Sequence, residues 1–294
     1  MKTFLCLLMS LMGSSLPLFA NAAPLPAAAQ QIQEEELMKM ERDAHTGLIL
    51  ITAMVNDVPM RMMLDTGATR TLLHKESAAR LKNVTWLNTS HMQFSSNSTQ
   101  RPQMLVANLQ AGPGLSPRHV FAVMDLSAVH SMMTEKIDGI IGMDVLGSLP
   151  FTFDFKKNEF YWGSPEDGAL APVYGEMERI GRMMVQPKCG EKRLRLLLDT
   201  GSVITRVPAA DWSPGSAGEI KAQMGNVDAT RRVTVEEGKP GDLEIAPGVV
   251  LRGVQPIFGR PGESYLLGLD AMKNAVLIHL PTERSLYGVF YMQP

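Results

Sequence analysis

The chain has 294 residues, enough for two modest domains or one large one, and 45% of them are hydrophobic, which supplies material for real cores. A formal net charge of -2, with no basic stripe and no aromatic RNA-binding motif, removes the electrostatic case for nucleic acid. The six histidines lack H-E-x-x-H spacing, no G-x-S-x-G elbow or phosphate loop occurs, and Cys6 and Cys189 are too few for a thiolate zinc site, so no metal is expected.

The N-terminus reads as a secretory signal over residues 1–22: Lys2, an apolar core from Phe4 to Met12, and the small-residue cleavage site Ala20-Asn21-Ala22. An uncleaved membrane anchor is the alternative, weakened by Pro17 and the short apolar run. Beyond the signal only Cys189 remains, so the mature chain has no internal disulfide and must rely on packing. A periplasmic or secreted protein is expected, with the bacterial periplasm favoured. Asn83, Asn88 and Asn97 stand in sequons that read as ordinary polar loop triplets. Residues 23–45 are a linker or N-terminal arm, Ala/Pro-rich at first and then weakly helical in pattern over 31–40.

Residues 46–163 form the first lobe. Leu48 to Val55 predicts a buried strand, Asn56-Asp57 a turn, and Val58 to Leu64 the returning strand that delivers Asp65 into Thr66-Gly67-Ala68. Further strands are expected at 104–109 and 118–126 around Gly112-Pro113-Gly114, and another from Ile140 to Met143, with Asp144, and Asp270 in the second lobe, each as the N-cap of a short helix. Phe151, Phe153 and Phe155 alternate with Thr152 and Asp154, and the chain then turns at 156–158 into Phe160 to Trp162 to close the lobe. Residues 164–175, with Pro165 and Pro172, are a linker. Residues 176–294 repeat the plan: Arg182 to Gln186, a turn at Lys188 to Glu191, Arg193 to Leu198, then Asp199, and a closing hairpin of Val276 to Leu280 and Leu286 to Tyr291.

The repeat is close. Met60-Arg61-Met62-Met63-Leu64-Asp65-Thr66-Gly67 returns 134 positions later as Leu194-Arg195-Leu196-Leu197-Leu198-Asp199-Thr200-Gly201. Six residues after each Asp stands a Thr, Thr71 and Thr205. Farther on come Ile140-Ile141-Gly142-Met143-Asp144 and Leu266-Leu267-Gly268-Leu269-Asp270. A chance Asp-Thr-Gly arises about once in several thousand positions, so two in matching contexts indicate duplication. The paired motifs resemble those of the retropepsin and pepsin-like aspartic peptidases over residues 46–294, in the single-chain form similar to the bacterial retropepsin-like type.

This resemblance implies a mainly β fold of two homologous retropepsin-like β-barrel lobes related by a pseudo-twofold axis. It implies Asp65 and Asp199 as the catalytic pair, with Thr66 and Thr200 hydrogen-bonding across the lobes. Gly67 and Gly201 would bring backbone amides to the carboxylates, and Ser202 would donate its hydroxyl to Asp199, a donor that Ala68 lacks. The resemblance places flap hairpins at 95–100, where a plain surface loop is the alternative, and at 222–232. Tyr is absent from 68 to 138, so the flap tyrosine of pepsins is missing, as in retropepsins.

Two carboxylates sharing one proton supply a base for water and an acid for the carbonyl, so hydrolysis needs no metal or cofactor. The expected protein is an exported aspartic endopeptidase, monomeric, acting on a peptide or protein substrate. A non-catalytic peptide-binding or assembly protein on the same scaffold is the alternative. Substrate-binding residues stay unassigned, although Met62 and Met63, among 21 methionines, read as core filler or pocket lining.

Overall fold

The computed structural model describes residues 2–5, 37–88, 92–93, 99–100, 102–112, 114–163, 171–173, 175–178, 181–225, 230–260, 262–282 and 285–293. Its first half is a closed six-stranded barrel. Strands β1 (Ile49–Val55) and β2 (Val58–Leu64) form a hairpin whose turn residues Asn56 and Asp57 both take left-handed φ (44° and 64°), the backbone hand that matches strand twist. With β3 (Leu72–His74), β4 (Gln103–Ala111), β5 (Gly114–Met124) and β6 (Gly139–Ile141) the order is β1-β2-β6-β3-β5-β4, and Leu109↔Val55 and Gln110↔Met54 close the ring. Leu50, Leu64, Leu72, Leu105, Phe121 and Ile140 fill it, fully buried. Closure leaves those six strands no free edge between them.

Helix α1 (Met143–Leu146) follows β6, and β7 (Phe151–Asp154) and β8 (Glu159–Trp162) come next. They do not close the lobe as the sequence suggested. Instead β7 pairs with the hairpin near the C-terminus, Phe151↔His279 and Phe153↔Leu277, in a six-stranded sheet that joins the two halves. Both faces of β7 are covered, which is why Thr152 and Asp154 are buried alongside the phenylalanines. The weak helix pattern over 31–40 fails at Leu37–Lys39, a strand on the other side of β8; pairing to an available edge outweighs a short, marginal helix. Residues 6–36, with the rest of the expected signal, and residues 164–170 of the expected linker lie outside the described residues.

The second half repeats the central pairing. Strands β9 (Leu196–Leu198), β10 (Arg206–Pro208) and β14 (Leu266–Leu267) stand as β2, β3 and β6 do: Leu197↔Leu266 and Leu198↔Leu267 are parallel, as are Met63↔Ile140 and Leu64↔Ile141. A long hairpin, β11 (Ser216–Gly225) and β12 (Thr230–Gly238), reaches β10 through β13 (Ile257–Gly259). Lys2–Leu5 pairs in parallel along β11. Among the described residues this half is an open nine-stranded sheet plus a four-stranded one, not a second closed ring. Its leading hairpin is broken at Pro187, which has no N–H for the ladder, so Met183–Val185 and Lys188–Cys189 pair in different sheets. Helix α2 (Leu269–Met272) follows β14, and β15 (Val276–Thr282) and β16 (Ser285–Gln293) form the hairpin near the C-terminus.

Candidate active site

Asp65 and Asp199 stand at the ends of β2 and β9. Each is fixed through its backbone by the apolar pair behind it: Asp65 N–H donates to Ile141 O and Asp199 N–H to Leu267 O, both at 3.0 Å. The threonines that follow interlock. Thr66 N–H donates to Thr200 Oγ1 and Thr200 N–H to Thr66 Oγ1, each at 3.0 Å, while Thr66 Oγ1 donates to Leu198 O (2.9 Å) and Thr200 Oγ1 to Leu64 O (3.0 Å). Four buried bonds thus tie each turn to the backbone of the other.

The glycines bring the carboxylates together. A Cβ on Gly67 would lie 2.5 Å from Asp199 Oδ1, and one on Gly201 would lie 2.4 Å from Asp65 Cγ, so each turn can approach the opposite aspartate only without a side chain. Gly67 N–H (2.8 Å) and Ala68 N–H (3.0 Å) donate to Asp65 Oδ1, and Gly201 N–H (2.9 Å) donates to Asp199 Oδ1. Ser202 departs from the expectation. Its hydroxyl donates to Ile204 O at 3.0 Å, because the turn offers a carbonyl two residues on. Within the two turns it is therefore Asp65, beside Ala68, that has the extra backbone donor.

Asp144 and Asp270 are also corrected. They are second residues of α1 and α2, whose N-caps are Gly142 and Gly268 with no side-chain cap bond. Asp144 instead accepts from Thr71 N–H (3.1 Å) and Thr71 Oγ1 (2.7 Å), and Asp270 from Thr205 N–H (2.8 Å) and Thr205 Oγ1 (2.7 Å). These bonds buttress the loops behind both aspartates, and the repeated Thr six residues after each Asp was their signal in the sequence.

Residues 51–145 match the family model of an aspartyl protease. The match runs from β1 into α1, taking in Asp65 and Ile140-Ile141-Gly142, and supports a protease that acts on peptide or protein substrates. No curated protein matches the chain significantly.

The electrostatics of the pair are informative. Both aspartates are 0% exposed. Burial pushes the Asp65 carboxyl up to about 7, against the pull of the Gly67 and Ala68 amides. Asp199 is held well above the ordinary range by burial and then by the charge of Asp65, with Gly201 and Arg206 pulling the other way. Oδ2 of each is buried without a hydrogen-bond partner among the described residues. One proton shared between the two carboxyls gives both a partner and avoids two adjacent buried charges.

Met62 and Met63 are fully buried in the barrel core, so they do not line a pocket. The hairpin expected at 222–232 is the end of β11 and start of β12, Ala222↔Val233 to Gly225↔Thr230; its tip, 226–229, lies outside the described residues. So do 94–98 of the other flap candidate, whose base pairs Met92↔Gln100 and Gln93↔Thr99. Gly225 sits on the first half, where an added Cβ would meet Met132 Cε at 2.3 Å. Among the described residues no group of three or more His, Cys, Asp or Glu is placed to hold a metal ion. Sequence reasoning missed Met132 and Arg206, neither of which lies in a repeated motif.

Proposed function

We propose that the chain is an exported, monomeric aspartic endopeptidase in which two homologous lobes, related by a pseudo-twofold axis, each contribute one aspartate. The observation that carries this reading is the reciprocal threonine lattice, which ties the turns together while Gly67 and Gly201 press each against the other's carboxylate. In the reaction the ionised member takes a proton from water as its oxygen attacks the peptide carbonyl. The protonated member gives its proton to the carbonyl oxygen, forming a tetrahedral diol. Collapse of the diol breaks the C–N bond, passes a proton to the amine and restores the single shared proton. No covalent intermediate forms.

A second reading, a peptide-binding protein that does not cleave, is favoured by the complete burial of both carboxylates. Purified mature protein incubated with a mixed peptide library, with and without a transition-state inhibitor of aspartic peptidases, separates the two. The protease reading predicts inhibitor-sensitive internal cleavage. Binding without cleavage would overturn it.

A further inference from the structure

The two copies of the turn differ at a buried position that carries charge. Seven residues after Asp65 stands Leu72, in the barrel core; seven after Asp199 stands Arg206, 8% exposed. Arg206 pairs with Leu266 on β14, and Leu266 with Leu197 on β9, so the three side chains share one face of the sheet. Asp199 follows Leu197 by two residues, next to that row. The sheet makes room for the arginine: on the neighbouring strand β13, a Cβ at Gly259 would lie 2.8 Å from Arg206 Cδ and 2.9 Å from Tyr265 Cε1.

Acidic and basic groups approach the guanidinium from several elements. Glu263 Oε2, on the loop before β14, is 3.5 Å from Arg206 Nη1 and accepts from Arg260 N–H at 3.1 Å. Glu263 Oε1 is 3.7 Å from Arg231 Nη2 on the hairpin strand β12. Glu237, also on β12, is a buried acid in the row that runs Glu237, Ile257, Arg206. Glu263 is the more exposed partner, with 30% of its side chain accessible against 9% for Arg206, so water screens the acid more than the cation.

We propose that Arg206 is a positioning residue for the dyad, a buried cation that acts through Asp199 to hold the Asp65 and Asp199 pair as a single anion. This rests on the reading of that pair as the hydrolytic centre. Burial alone favours two neutral carboxyls, which lack the base that water activation requires. A fixed cation on the Asp199 side opposes this, consistent with the downward pull of Arg206 on Asp199. Arg206 lies two strand spacings from β9, about 10 Å, and at an effective dielectric near 20 a charge at that range shifts an ionisation by about one pH unit.

The test uses the full mature chain with Arg206→Met, which keeps the stem and removes the charge, Arg206→Lys, which keeps the charge, and Glu263→Gln, which removes a counter-charge. Two readouts are taken: the acidic limb of kcat/KM, and the carboxyl titration of 13C-aspartate-labelled protein by NMR, which needs no turnover. Arg206→Met should raise the first ionisation of the dyad by about one unit, Arg206→Lys should restore it, and Glu263→Gln should lower it. A dyad that titrates unchanged in both Arg206→Met and Glu263→Gln overturns the inference, as does a lysine variant that behaves like methionine. Should Arg206→Met fail to fold, the wild-type titration expected of Arg206→Lys and the downward shift expected of Glu263→Gln decide the matter. If the shifts occur but no peptide is cleaved by the wild-type chain, Arg206 keeps its role and the hydrolase reading falls.

Discussion

Thr66→Val is the sharpest probe of the lattice, because it preserves shape and removes one hydroxyl. That hydroxyl donates to Leu198 O at 2.9 Å and accepts from Thr200 N–H at 3.0 Å, and both partners belong to buried residues. The substitution orphans one carbonyl and one amide, each costing about 1–3 kcal/mol, so a loss of about 2–6 kcal/mol is expected. Thr200→Val removes the mirrored pair, to Leu64 O and from Thr66 N–H, and should cost the same to within about 1 kcal/mol. Urea unfolding followed by tryptophan fluorescence measures both at constant slope. A loss below about 0.5 kcal/mol in either variant would refute the view that these bonds hold the two turns together.

Three further outcomes follow from the site. Gly67→Ala and Gly201→Ala should each lower kcat/KM by roughly a hundredfold or more, since the added methyl displaces the opposite carboxylate; steady-state kinetics on folded variants checks this. Ser202→Ala should leave the pH profile in place and cost about 1 kcal/mol of stability, because its hydroxyl serves Ile204 O; a shifted acidic limb would restore the hydroxyl to Asp199. Asp270, raised by burial from 3.8 to about 6, binds its proton more tightly in the folded chain than in the unfolded one. Its contribution to stability therefore grows as pH falls through 6 and levels off below about 4, a gain of about 3 kcal/mol; Asp65, raised to about 7, adds in the same direction. Melting temperature should climb between pH 7.5 and 5, and Asp270→Asn should flatten part of that climb. A melting temperature that falls across this range would contradict the assignment.

The parts of the fold that are local or repeated could be read from the residues. The β1–β2 hairpin followed from an apolar run on either side of Asn56-Asp57, and the duplicated Asp-Thr-Gly placed both aspartates at strand ends. The repeat also pointed at Thr71 and Thr205 without revealing their partners, since a carboxylate at the second position of a short helix looks like a cap until the loop it grips is in view. Pairing between distant strands was out of reach. Nothing in Phe151-Thr152-Phe153-Asp154 says that it will meet Val276–His279, or that Leu37–Lys39 will find the edge of β8. Local competition misled at Ser202, where a nearby carbonyl captured the hydroxyl. Arg206 was hidden because a charged residue in an apolar strand reads as an edge until its burial is known.

The most direct measurement compares kcat/KM of the wild-type chain with Asp65→Asn and Asp199→Asn on one cleaved peptide, with circular dichroism to verify the fold. Each single variant should lose roughly a thousandfold or more, because an amide cannot share the proton that both steps require. Near-wild-type turnover in either folded variant would contradict catalysis by the Asp65 and Asp199 pair.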